Sequence, residues 1–232
     1  MFYRHLTSLV VIGAISFIAS SAPVSNEVDY GSLECPQSPN ETLITPTCMI
    51  LSTFFPTYFS RSLIKDGTKD AIFGICTTEV IHASPETIYA ALLDFQSYAL
   101  WNSFIVDVGL PTNVTSTPDD VYVGMSMKFT SQGLLEGIDT SSTEVISITE
   151  NTGNAGYLLA SWFYDDGVGG TGSRSEHPSV LVDLGNGSTR YLSYETYYAG
   201  WESGAVVLLK DALQRQFEVQ GRDLKTYVEN LT

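Results

Sequence analysis

Apolar residues follow no fixed period through the front of this chain and then settle, from Ile72 onward, into strand and helix spacings. Residues 72–82 are rich in β-branched side chains and read as a first strand. A helix follows at once. Ser84 supplies an N-cap hydroxyl, Pro85 takes the first helical position and Glu86 complements the dipole, while Ile88, Ala91, Leu92 and Phe95 recur at i, i+3, i+4 and i+7 on one face. A second short helix or turn runs from Tyr98 to Trp101, with Asn102 capping it.

A weak strand over 104–108 precedes a clear one over 124–130, where Met125, Met127 and Phe129 alternate with Ser126, Lys128 and Thr130. Further strands are predicted over 142–150, 156–164, 179–184 and 189–198. Asn/Gly turn chemistry at 151–154 and 185–188 joins consecutive strands, which predicts an antiparallel meander. The chain then carries an apolar stripe at Val206, Leu209, Leu213, Phe217, Leu224 and Val228, which predicts one helix over 203–229, about 40 Å long. That stripe needs a surface to cover it, and the concave face of the sheet is the one available. The expected class is α+β: a curved antiparallel sheet of about seven strands around a long C-terminal helix, with a cavity between them.

The front of the chain lacks such patterning. Residues 1–22 have the parts of a secretory signal: Arg4, an apolar run over 9–19, and Ser20, Ser21 and Ala22 for cleavage. The run is shorter than the roughly 20 apolar residues that span a bilayer, so no stable membrane insertion is expected. Residues 23–70 read as an irregular leader broken by Pro23, Pro36, Pro39, Pro46 and Pro56, leaving 71–232 as the folded domain. The leader's apolar patch over 49–59 needs cover, from the domain body or from a partner. Export agrees with the sequons at Asn40, Asn113 and Asn186; a fourth, Asn230, is placed for little modification. Three cysteines allow one intrachain bridge. Cys35 with Cys48 is the expected pair, since both flank a Pro-rich loop, and Cys76 bonding back to the leader is the alternative.

Charge narrows the partners. A formal net charge of -15 makes nucleic acid and anionic membrane poor ones. Charged residues are only 16% of the chain, with Ser, Thr, Tyr and Gly in their place. The histidines are dispersed, so no metal-ligand spacing exists and no metal or other cofactor is expected. No nucleophile elbow is present. Gly167, Gly169 and Gly172 match a dinucleotide pattern literally, but no helix is predicted after them. Residues 173–178 read as loop, so the glycines serve a hairpin connection, or a lid over the cavity.

The stretch 79–102 contains Ala83-Ser84-Pro85-Glu86, then Asp94-Phe95-x-x-Tyr98-x-x-Trp101-Asn102. It resembles the opening of START-like proteins of the polyketide cyclase/dehydrase and coenzyme Q-binding group, although Ser103 stands where that group often has Pro. The resemblance extends over 72–229 in element order and implies the helix-grip fold with a hydrophobic cavity. It is nearly silent on function, because the group includes lipid carriers, aromatic cyclases and proteins of unknown role.

The side chains expected to meet a ligand are Trp101, Met125, Met127, Phe129, Tyr157, Trp162, Tyr194 and Tyr198. On the last strand the other parity, Tyr191, Ser193, Glu195 and Tyr197, is an equally polar inward set. If it faces inward, Glu195 becomes the general-base candidate. His177, beside Arg174 and Glu176, is the other acid-base candidate, though a loop position would leave it solvated. The leading expectation is a secreted binder or carrier of a hydrophobic small molecule such as a lipid, sterol or polyketide. The alternative is a cyclase or dehydratase acting on an aromatic or polyketide substrate, and a third is an interaction protein docking through its leader patch. Oligomeric state is not legible.

Overall fold

The computed structural model describes residues 28–38, 41–45, 71–149, 156–164, 174–200 and 203–231. The signal segment, the patch over 49–59, Asn40, Cys48, the turn at 151–154 and the glycine-rich connection lie outside the described residues. In order come β1 (Ala71–Ile81), α1 (Pro85–Leu93), α2 (Tyr98–Trp101), β2 (Ile105–Gly109), β3 (Ser126–Leu135), β4 (Ile138–Ile148), β5 (Leu158–Tyr164), β6 (Arg174–Asp183), β7 (Thr189–Tyr198), α3 (Ser203–Leu208) and α4 (Lys210–Glu229). The strands form one sheet in the order β1-β7-β6-β5-β4-β3-β2, each pair antiparallel. β2 to β7 are the expected meander, and β1 closes onto the last strand.

Local chemistry places the helices. The Ser84 side chain accepts from the Thr87 N–H, and Pro85 and Glu86 fill the first turn of α1. From α4, Leu213, Phe217, Leu224 and Val228 are buried against Ile88, Leu92, Phe95 and Phe129 in one core on the concave side. Burial of Phe217 alone contributes about 2–3 kcal/mol. Three polar side chains lay α4 along β1 with four hydrogen bonds. Gln214 accepts from the Cys76 N–H at 3.1 Å and donates to the Cys76 carbonyl at 2.9 Å. Lys225 donates to the Val80 carbonyl at 2.6 Å, and Glu229 accepts from the His82 N–H at 2.9 Å.

Three features depart from the sequence pattern. β6 begins at Arg174, so the segment predicted as loop is strand, paired with β5 from Phe163↔Glu176 and with β7 from Arg174↔Tyr198. Pro178 sits in this central strand, and the ladder to β7 is interrupted between Glu176↔Thr196 and Ser179↔Ser193, where a missing N–H is tolerated. The C-terminal helix is two helices. Leu209 donates its N–H to Val206 three residues back, a tighter turn than the α-helix allows. β3 and β4 extend to the two-residue turn Glu136-Gly137, where Gly137 adopts a φ of +68°.

The leader packs on the convex face. Val28, Leu33, Leu43 and Ile44 cover Leu159, Val180, Leu192 and Tyr194. The Arg190 guanidinium donates to the Leu33 and Gly31 carbonyls at 2.8 and 2.6 Å, Tyr194 to Ile44 at 2.7 Å, and Thr196 to Leu43 at 2.8 Å. The disulfide joins Cys35 to Cys76, not Cys35 to Cys48. Cys76 has the outward parity of β1, opposite to Phe73 and Ile75, and therefore meets the leader as it crosses. The Cα separation of 5.6 Å suits a bridge.

Candidate ligand cavity

Strand parity builds the site. On β7, Tyr191, Ser193, Glu195 and Tyr197 face inward, whereas Leu192, Tyr194, Thr196 and Tyr198 face the leader. On β6, Ser175 and His177 share the inward face, and on β5 and β4 Trp162, Tyr164 and Glu144 do. These side chains meet α3 and α4 around a cavity of about 210 Å³. Phe104, Phe129, Trp162, Leu213 and Phe217 supply apolar lining, and Glu144, Ser175, His177, Glu195 and Tyr197 supply polar lining. Val206 and Leu209, at the helix break, also line it.

The polar lining is internally bonded. The Glu195 carboxylate accepts hydrogen bonds from the Ser175 and Tyr197 hydroxyls, and its enclosure pushes its pKa from the ordinary 4.5 up to about 7, against the pull of both bonds. The residue as a whole is half-buried. Tyr197 is held well above the usual tyrosine range by burial, then by the Glu195 charge and hydrogen bond, then by Glu144. It remains a hydroxyl and stacks on Phe73 with ring centroids 4.5 Å apart.

His177 is not the solvated loop residue its neighbours predicted. It is buried in β6, between Trp162 at 4.6 Å and Phe217 at 4.5 Å, with Nε2 at 2.7 Å from Ser193 Oγ. Burial pushes its pKa from 6.5 down to about 3, so the ring is neutral above that pH. The cavity therefore offers one carboxyl group that titrates near neutrality, hydroxyls that do not, and a neutral imidazole held among rings.

The expected ligand residues divide accordingly. Phe129 and Trp162 line the cavity. Met125 and Met127 face the same side but are enclosed in the core. Trp101 packs between Tyr98 at 4.9 Å and Tyr227 at 6.0 Å, away from the cavity wall. Tyr157, Tyr194 and Tyr198 are on the other face: Tyr157 meets Tyr30, Tyr194 binds the Ile44 carbonyl, and Tyr198 lies 2.6 Å from Thr45 Oγ1. Glu144, Tyr164 and Ser175 were not anticipated. The available signal was Glu144 two residues before Ile146 on one strand, an acid on an apolar face.

A larger groove of about 310 Å³ lies outside, between the disulfide, the edge of β1 and the start of α4. Glu195 lines it as well, but its lining residues include one aromatic side chain, Tyr194, whereas Phe104, Phe129, Trp162, Tyr164, Tyr197 and Phe217 line the inner cavity, which is therefore the stronger candidate. Asn113 and Asn186 are exposed on the surface.

No protein-family model matches the chain, and no curated protein matches it in sequence. Solved structures do match. A START superfamily protein from Mycobacterium smegmatis aligns over 68% of this chain and 99% of its own, at 18% identity and a TM-score of 0.51. The Zhui aromatase/cyclase from Streptomyces sp. R1128 aligns over 68% and 93%, at 10% identity and 0.51. A norcoclaurine synthase point mutant from Thalictrum flavum, in complex with a transition-state analogue, aligns over 68% and 94%, at 13% identity and 0.51. At such identities the likeness speaks to architecture and not to activity. The meander closed by β1, the gripped α4 and these superpositions together give the chain the START-like, helix-grip fold.

Proposed function

We propose that this protein is an exported binder of a small amphipathic molecule, held between the concave sheet face and α3–α4. The observation that carries the reading is one cavity lined by both aromatic and hydrogen-bonding side chains, a composition that takes up a ring and orients a polar group. At about 210 Å³ the space lies below the roughly 300–1,000 Å³ usual for drug-sized ligands, which favours a single-ring compound over a sterol. Export is supported by the Cys35–Cys76 bridge, the signal-like residues 1–22 and the exposed sequons at Asn113 and Asn186. Residues 71–232 form the binding domain, with the leader as its outer cover. Native mass spectrometry of protein purified from its own host tests the reading. A bound mass of single-ring size is expected; an empty spectrum, with no thermal shift across a panel of aromatic alcohols, amines and polyphenols, removes it.

Glu195 favours a second reading, in which the same cavity performs acid-base chemistry. A carboxyl group with a pKa of about 7, beside a tyrosine hydroxyl, is poised to take or give a proton at neutral pH. The aromatase/cyclase among the similar structures keeps this reading in view. It requires that the co-purified ligand be converted on incubation and that Glu195→Gln abolish the conversion while ligand still binds. An unchanged ligand mass in both proteins returns the protein to the carrier class.

A further inference from the structure

Hydrogen bonds are unevenly shared among the polar groups of the cavity lining. Glu195 accepts from Ser175 and Tyr197, the Thr140 hydroxyl reaches the Ser131 carbonyl at 3.4 Å, and Glu144 and Tyr164 are engaged as well. His177 differs. Its Nε2 lies 2.7 Å from Ser193 Oγ, while Nδ1 has no hydrogen bond among the described residues. Trp162 and Phe217 cover the ring at centroid distances of 4.6 and 4.5 Å, which leaves a polar atom the ring edge as its approach. The residue lines the cavity and keeps 5% of its surface exposed, room for a single polar contact and not for a stacked ring.

The fold fixes that ring before any guest arrives. Ser193 is buried in β7 between Thr77 of β1 and Ser179 of β6, its register partners, so the bond to Nε2 is anchored in the middle of three strands. Turning the ring over would break this bond. A neutral imidazole has one N–H and one lone pair. If Ser193 donates to Nε2, Nδ1 carries the proton and donates; if Nε2 donates to Ser193, Nδ1 accepts. A hydroxyl group both donates and accepts, so it completes the ring in either tautomer. A methyl group in the same place strips Nδ1 of water and returns nothing. We infer that His177 is the specificity-determining contact of the cavity, its Nδ1 pairing with a hydroxyl group on a single neutral ring, so that the guests are phenols and aryl alcohols. This rests on the reading that the inner cavity is the binding site.

Titration of the wild-type chain with 4-methylphenol and with p-xylene tests it, since the two have nearly the same volume and differ by one hydroxyl. Long-range proton–nitrogen NMR correlation reads the two imidazole nitrogens of His177 separately. With 4-methylphenol the Nδ1 resonance should move several times further than with p-xylene, while Nε2 holds its position in both. In calorimetry, His177→Phe keeps a ring between Trp162 and Phe217 and should weaken 4-methylphenol about 10-fold relative to p-xylene. Ser193→Ala, which removes the bond that orients the ring, should give a smaller loss in the same sense. If both guests move Nδ1 equally, or 4-methylphenol binds with Nδ1 unmoved, the His177 inference falls and the cavity reading stands. If neither guest binds, both fall. The wild-type spectra decide between these outcomes even if neither variant folds.

Discussion

The two faces of β7 both carry polar side chains and put them to different uses. On its convex face they end on the leader: Arg190 on two carbonyls, Tyr194 and Thr196 on one each, Tyr198 on Thr45. On the concave face they end on one another, Glu195 on Ser175 and Tyr197, His177 on Ser193. Leader carbonyls fixed by hydrogen bonds and covered by apolar contacts leave the convex tyrosines a structural task. A closed network beside an empty space can exchange partners with a guest. Alternate residues of one strand thus divide into a seam that holds a covering segment and a wall that faces a cavity.

Breaking the seam should have the largest effect. The Cys35–Cys76 bridge spans 41 residues, and on loop-closure entropy its removal by Cys35→Ser costs about 4 kcal/mol. Chemical denaturation should register that loss. Limited proteolysis should open the leader near 28–45 first, with the concave cavity keeping its ligand; simultaneous loss of ligand binding would show that the two faces are not separable.

The concave wall should reveal itself through pH. Glu195 titrates near 7 in the fold and 4.5 outside it, so its contribution is complete below 4.5 and lost as pH rises to about 7. His177 titrates near 3 in the fold and 6.5 outside it, so its contribution is present above 6.5 and lost as pH falls toward 3. Each gives a slope of about 1.4 kcal/mol per pH unit, and the two oppose between 4.5 and 6.5. Relative to wild type, Glu195→Gln should tilt stability downward toward acid by about 3 kcal/mol across that window, and His177→Gln downward toward base by a similar amount. Parallel profiles for both variants and the wild type would show that neither group is enclosed.

The smallest contrast compares two tyrosines of one strand. Tyr194→Phe removes the bond to Ile44 and should cost about 1 kcal/mol with ligand affinity unchanged. Tyr197→Phe should instead weaken ligand binding several-fold, because its hydroxyl orients Glu195 in the cavity. The reverse pattern in titrations of the two variants would exchange the roles of the faces.

The element order was readable because caps, alternation and turns are local. Ser84-Pro85-Glu86 started α1, and Gly185 with Asn186 closed the β6–β7 turn, where Asn186 accepts from the Ser188 N–H. Residues 174–178 were not readable: Arg, Ser, Glu, His and Pro carry little strand propensity, and pairing on both sides overrode it. The cavity residues were legible only as two alternative parities of β7. Both sets contain tyrosines and hydroxyls, and what distinguishes them, a leader packed on one side, is a long-range contact. The same contact explains the disulfide. Cys48 was nearer in sequence, but the crossing leader sets Cys35 against the outward face of β1.

Gln214 has a consequence beyond docking a helix. β1 ends the sheet, and the peptide groups on its free side would otherwise offer a row of donors and acceptors to any extended chain. One amide group from α4 occupies both the donor and the acceptor of Cys76, while farther along Lys225 donates to the Val80 carbonyl and Glu229 accepts from the His82 N–H. Natural sheets often blunt such a border with charge or proline. Here the gripped helix itself serves as the missing neighbour, so the element that closes the cavity also keeps the β1 edge from recruiting a strand from another molecule and growing toward aggregation.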